Sequence, residues 1–231
     1  MRQAAVQVHA RPVPEALVAE QAYVAARRAI IECQFKPGER FSELELSKLL
    51  EIGRTPVREA LGRLRQEGLV EAYPRAGYRV TPITLRDVRE IFEVRSMLEG
   101  HVAAVLAGRS MSEADAAALM DSDHGPYSVA TPADQENFIR SNTGFHLGLA
   151  ERTGNRRIIA SLSGILHEME RLVRLGWGHN PHLHQHPELI EAICSGDAAR
   201  ARRVAEESVA RSMQNTLDSI IESPDVQSLV L

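Results

Sequence analysis

Gly53-Arg54-Thr55-Pro56-Val57-Arg58-Glu59-Ala60-Leu61 is the stretch on which the fold turns. A Thr-Pro pair reads as a helix start, with Thr55 expected as the N-cap and Pro56 at the first helical position, where its missing N–H costs nothing. Behind it, Val57, Ala60, Leu61 and Leu64 recur at helical spacing and predict one buried face. Arg54, Arg58, Arg63 and Arg65 fall off that face, and Gly68 is expected to close the helix. The segment predicts a helix whose leading end is exposed and cationic.

Working outward, Glu15 to Cys33 reads as a helix with an apolar stripe of Leu17, Tyr23, Val24, Ile30 and Ile31. Lys36-Pro37-Gly38-Glu39 is a turn, because Pro37 fixes φ and Gly38 tolerates a positive one. Phe41 is expected in a short strand or extended step. Ser42 and Glu45 then form a capping box for a helix carrying Leu44, Leu46, Leu49 and Leu50, with Gly53 as its breaker. Downstream, Leu69–Tyr73 alternates as a strand, Pro74-Arg75-Ala76-Gly77 turns, and Tyr78-Arg79-Val80 returns. Three helices followed by a two-stranded wing are the order of a winged helix-turn-helix, placed here over residues 15–82. Such a unit enters a major groove with the leading end of its last helix. Arg54 and Arg58 supply forked donors for guanine edges and phosphates, and Thr55 with the free helix N–H groups suits a phosphate oxygen. Arg75 at the wing tip is expected to reach the DNA backbone or minor groove, and Gly77 to permit the tight turn.

After Pro82 the strand signals stop. Helices are expected over about 85–107, 112–120, 132–152, 155–175, 187–195 and 198–222, each bounded by a Ser, Thr, Asn or Asp cap, a Pro or a Gly. The fold class is therefore mainly α. It comprises an arm at 1–14, the winged unit at 15–82, an all-helical bundle at 83–222 and a tail at 223–231.

Of 231 residues, 44% are hydrophobic and 25% charged, which are ordinary globular values. The net charge of −4 hides an asymmetry. Residues 1–80 hold 13 Lys+Arg against 10 Asp+Glu, while residues 81–231 hold 14 against 21, as suits a protein that meets phosphates with one end only. No apolar run spans a bilayer, and Met1–Glu15 lacks the apolar core of a secretory leader. Cys33 and Cys194 lie far apart and read as two thiols in a reducing cytoplasm.

Lys36-Pro37-Gly38-Glu39-Arg40, Gly53 to Leu61, and Glu67-Gly68-Leu69-Val70 together resemble the GntR family of bacterial transcriptional regulators across roughly residues 15–82. The resemblance implies DNA contact by Arg54, Thr55 and Arg58, with Arg75 and Gly77 in the wing. Where this chain has Gly53 the family usually has Ser or Thr, so one phosphate-directed hydroxyl is missing. The second domain resembles the helical effector domain of the FadR/FCD subfamily. That resemblance rests on Val94-Arg95-Ser96-Met97-Leu98-Glu99-Gly100, Asn142-Thr143-Gly144-Phe145-His146, His186 with Leu189-Ile190-Glu191-Ala192-Ile193, and Gly196-Asp197. It implies effector-binding roles for Arg95, Asn142, His146 and His186. Many FCD domains hold a divalent ion such as Zn, and the resemblance puts Asn142, His146 and His186 in the ligand positions, with Ser208 where a fourth His stands. His182 or His184 is a substitute ligand. The competing reading makes His146 a hydrogen-bonding pocket residue with no metal. Arg95 suits a carboxylate effector, and a salt bridge with Glu99 one turn on is the equal alternative.

The resulting expectation is a cytoplasmic homodimer that binds a palindromic double-stranded operator and responds to a small-molecule, carboxylate effector, with no membrane partner and no catalysis. Two other classes stand beside it. A metal-dependent hydrolase would use the His146/His186 region, but His167-Glu168 is followed by Arg171 rather than a second zinc-helix histidine, and no nucleophile motif appears. A non-specific architectural DNA-binding protein would show a salt slope accounting for nearly all its affinity.

Overall fold

The structure, a computed structural model, describes residues 15–109, 112–123, 131–176 and 186–222. The arm, the tail, the 124–130 loop, and His182 and His184 lie outside the described residues. The chain divides into two units, one reaching Thr81 and one starting at Pro82, with Ile31–Cys33 belonging to the second. It is mainly helical, with a small sheet in the first unit.

The first unit begins with α1, Glu15–Ile31. Its buried positions are Ala22, Ala26, Ala29, Ile30 and Ile31. The expected stripe holds at Ile30 and Ile31 but not further up the helix: Leu17 and Val24 are 50% and 56% exposed, and Ala22, Ala26 and Ala29 face inward there. Alanines at helical spacing let backbones approach closely, which a hydropathy pattern built on large residues overlooks. After the Pro-Gly turn comes β1, Arg40–Phe41, then α2, Glu43–Leu50, with the expected capping box of Ser42 and Glu45. Glu51 at φ 54°, not Gly53, ends α2. Gly53 instead is the N-cap of α3, Arg54–Gln66, with extended dihedrals and no side-chain cap bond. Thr55 and Pro56 therefore sit inside the first turn, and Arg54 is the first helical residue rather than a flanking one.

The α3 face of Val57, Ala60, Leu61 and Leu64 is buried as its spacing requires. At its end Gly68, at φ +76°, donates to Arg65 O while Leu69 N reaches Leu64 O, the paired bonds of a Schellman motif. The wing strands are β2, Val70–Tyr73, and β3, Gly77–Val80. They pair antiparallel with Val70 opposite Val80 and Tyr73 opposite Gly77. The sheet has three strands rather than two, in the order β1-β3-β2, because Arg40 and Phe41 pair with Arg79 and Tyr78. Phe41 is buried between ring neighbours, stacking on Phe35 at 4.6 Å and Tyr78 at 6.0 Å.

Gly77 is required at the base of the wing turn. Its φ is +84°, and a Cβ there would lie 2.5 Å from the Phe41 carbonyl oxygen. Gly77→Ala is expected to cost the first unit about 1–3 kcal/mol through positive-φ strain and the displaced β1 backbone. Hydrogen exchange at the Tyr78 and Val80 amides would show it as lost protection; unchanged rates would refute it.

The second unit comprises α4, Leu85–Ala107; α5, Glu113–Ser122; α6, Pro132–Arg152; α7, Arg156–Gly176; α8, Pro187–Cys194; and α9, Ala198–Glu222. Thr84 with Asp87 and Thr131 with Asp134 form full capping boxes, which satisfy the first free amides of the two long helices. Helix α4 packs chiefly on α9, with α6, α7 and α8 around the pair. One apolar cluster includes Leu106, Phe145, Leu149, Leu162, Leu166 and Ile190. A second holds Val88, Phe92, Met169, Leu172 and Val209. Two polar side chains of α4, Arg95 and Glu99, are buried in the same unit at 4% and 6% exposure.

Candidate functional site

The first unit offers its leading α3 end. With Gly53 as N-cap and no acidic residue in the first turn, the positive end of the helix dipole is left uncompensated by its own residues. Arg54 and Arg58 project from it with side chains 60% and 62% exposed. A groove of about 500 Å³ runs between this end and the wing, lined by Leu44, Arg54, Arg65, Tyr73, Arg75 and Gly77 among others. Arg75 sits in the turn at φ +63°. The structure thus gathers Arg54, Arg75 and Gly77 around one groove, and adds Arg65. Thr55 occupies the first α3 turn beside Arg54.

Arg58 is held from the start of the preceding helix. Its Nε and Nη2 donate to the two oxygens of Glu43 at 3.0 and 2.9 Å, and Arg54 Nη2 lies 3.6 Å from the same carboxylate. The Arg58 bonds hold the Glu43 carboxyl below its ordinary range, against the opposing effect of partial burial. Arg63 is structural rather than DNA-facing: it donates to Glu20 at 2.6 Å and lies over the Tyr23 ring at 3.4 Å. Glu67, one turn on, accepts from the Tyr23 hydroxyl at 2.6 Å.

In the second unit, helices α4, α6 and α9 and the cap residues of α5 and α8 bring together a buried polar cluster. Arg95 Nε donates to Glu99 Oε1 at 2.6 Å, its Nη2 lies 3.0 Å from His146 Nε2, and its Nη1 is 3.4 Å from the Ser212 hydroxyl. His146 Nδ1 is 3.1 Å from Glu99 Oε2, yet the contact is not aligned as a hydrogen bond. His186 donates from its backbone and Nδ1 to the Asp123 carboxylate at 2.6 and 2.9 Å. Its ring stacks on Phe145 at 4.4 Å and meets His146 edge-on at 4.8 Å. Three residues singled out in the sequence, Arg95, His146 and His186, therefore do converge.

Comparison with known proteins agrees with both halves. Residues 18–80 match the bacterial regulatory proteins of the gntR family, and residues 90–211 match the FCD domain. The chain belongs to the GntR family. A helix-turn-helix transcriptional regulator in an unstable DNA locus of Streptomyces ambofaciens is 30% identical over 78% of this chain and 77% of its own. The YdhC transcriptional regulator of Bacillus subtilis is also 30% identical, over 64% of this chain and 65% of its own length. In fold, the chain is similar to E. coli McbR/YncC, with a TM-score of 0.69 at 22% identity over 87% of this chain and 97% of that one. The protein is a GntR/FCD transcriptional regulator and not an enzyme.

In this GntR regulator the electrostatics of the cluster follow from burial. Burial alone would raise the Glu99 carboxyl, but the Arg95 guanidinium and His146 outweigh it and hold the group far below the usual carboxylate range. Burial pushes the His146 imidazole down to about 4 and outweighs the pull of Glu99, so the ring is neutral at pH 7. With Arg95 donating to Nε2, the ring proton belongs on Nδ1, facing Glu99. Burial would likewise raise Asp123, but its hydrogen bonds to His186 lower it.

The arrangement does not suit the divalent ion that many FCD domains hold. The Arg95 guanidinium, already a full positive charge, sits 3.0 Å from His146 Nε2, and its Nε donates to Glu99, the carboxylate that faces His146 Nδ1 at 3.1 Å. Asn142 brings no charge and Ser208 offers a poor ligand. Among the described residues no hydrogen bond joins either of them to the cluster, and no three His, Cys, Asp or Glu side chains form a metal-holding group. Ser212, one turn beyond Ser208 on α9, is the serine that meets Arg95. The cluster suits a hydrogen-bonding ligand.

Sequence reasoning missed Glu43, Asp123 and Ser212. Glu43 and Asp123 are tied to partners 15 and 63 residues away, and no local pattern marks such pairs. His167, weighed as the start of a zinc helix, has its Nδ1 2.6 Å from the Ser163 carbonyl, a bond within its own helix.

Proposed function

We propose that this GntR regulator acts in the cytoplasm as a homodimer, pairing through its helical units and presenting two α3 leading ends to a palindromic double-stranded operator. The carrying observation is the uncapped, exposed start of α3, with Arg54 and Arg58 beside a groove bounded by the wing residue Arg75. Helix N–H groups and Thr55 take phosphate, Arg54 and Arg58 reach guanine edges, and Arg75 follows the backbone or minor groove.

The Arg95–His146–His186 cluster is the effector site in this reading, with Asn142 one turn before His146 on its rim. A small carboxylate is the ligand class that fits best. Of the hydrogen bonds Arg95 makes, the 3.4 Å one from Nη1 to Ser212 is the longest, and that donor is the one an incoming carboxylate takes. Binding there shifts the population between dimers that can and cannot engage DNA.

The DNA half is tested by Arg54→Ala and Arg58→Ala. Each is expected to cost about 1–3 kcal/mol against a duplex selected by the wild type from a randomised pool, and much less against a scrambled duplex. Titration gel shifts at fixed salt measure both. Equal loss on the two duplexes would reassign these arginines to phosphate contact and favour the non-specific architectural alternative.

A further inference from the structure

Glu43 puts a carboxylate on a face otherwise built to attract phosphates. It is the first residue of α2, and its side chain is 17% exposed against 62% for the Arg58 it holds. A negative charge so close to a bound polyanion weakens association with any duplex, whatever its sequence. The same charge does something for the arginines. Arg58 is engaged through Nε at 3.0 Å and Nη2 at 2.9 Å, a bidentate grip that fixes the plane of the guanidinium. A carboxylate on that edge leaves the Nη1 hydrogens for a second acceptor. Oε2 also draws the Arg54 head group to 3.6 Å, so one carboxylate steadies both candidate base-reading forks from the neighbouring helix. A long side chain held in its working rotamer loses less freedom when it meets a base edge.

We infer that Glu43 is a positioning residue for base recognition, holding the Arg58 fork, and with it Arg54, in place before DNA arrives, so that sequence discrimination is gained at the expense of general affinity. This role rests on the DNA-binding reading above. It makes the two affinities move in opposite directions on mutation, which a merely structural role for Glu43 does not.

The test uses the full-length protein, a duplex selected by the wild type from a randomised pool, and a scrambled duplex of equal length. Glu43→Gln keeps the shape and removes the charge. It is expected to tighten binding to the scrambled duplex while the preference for the selected duplex falls about tenfold. Glu43→Asp keeps the charge but falls one methylene short of the bidentate grip. It should leave scrambled-duplex binding near wild type and lower the preference as well. An unchanged preference in Glu43→Gln would reduce Glu43 to a simple repulsive charge and overturn the role. Equal weakening on both duplexes would overturn it too, as damage to the fold. If the wild type itself shows no preference for the selected duplex, the DNA-binding reading fails first, and that outcome is visible before any variant is made.

Discussion

Arg95→Met is expected to destabilise the helical unit by about 3–5 kcal/mol, because it strands a buried carboxylate without its cation. Glu99 is 6% exposed and depends on Arg95 at 2.6 Å to remain ionised. Removing Arg95 also takes the donor from His146 Nε2, so two buried polar groups lose a partner in one change. The remedy available to the protein is to protonate Glu99, which itself costs free energy at neutral pH. The double variant Arg95→Met/Glu99→Gln removes the charge along with its partner and should recover much of the loss. Urea midpoints for the single and double variants measure the coupling as a double-mutant cycle. A single variant within about 1 kcal/mol of wild type would show that the cluster is hydrated and the pair inessential to the fold.

Acid should act on the same cluster from the other side. The folded protein holds His146 at about 4, below the 6.5 of the free imidazole. Between these two values the unfolded chain takes up a proton that the folded chain refuses, so stability falls as pH falls through that window. The loss approaches about 3 kcal/mol by the lower limit, at 1.36 kcal/mol per pKa unit. Glu99, whose folded pKa is also depressed, adds a further loss only below the unfolded carboxylate value of 4.5. His146→Gln keeps an acceptor for Arg95 and removes the titration. Its stability should therefore be flat from about pH 7 down to about pH 4.5, where the wild type declines. Urea midpoints for both proteins across that range decide the matter. Parallel curves would place the acid sensitivity elsewhere.

The elements were legible where their ends are written locally. Thr84 with Asp87 and Thr131 with Pro132 and Asp134 announce α4 and α6, whose expected spans match the observed ones to the residue or nearly so. The buried face of α3 follows from four apolar residues at helical spacing. The cap of α3 was misplaced because Thr55 has the better side chain for the task, while the backbone turns at Gly53, where no side chain is needed. In α1 the buried Ile30 and Ile31 are legible from hydropathy, whereas Ala22, Ala26 and Ala29 carry too weak a hydropathy signal to mark the rest of the inward face.

In the polar cluster the same division holds. Arg95 with Glu99 is an i,i+4 pair and was visible as one of two alternatives. The structure shows the pair formed, and the effector role proposed for Arg95 now has to coexist with it. That His146 and His186 share the pocket was implied by resemblance. Asp123 and Ser212 were invisible, since only the packed helices bring them near.

The third strand of the small sheet has a topological consequence. Because β3 is stitched on one flank to β2 and on the other to β1, the pairing of positions 40 and 79 closes a ring around α2 and α3. Loss of the β1–β3 pairing is therefore expected to loosen the wing as well, since β3 is common to both pairs. In the operator-binding reading proposed above, the wing and the strand that leads into α2 are then expected to shift together when the protein leaves DNA.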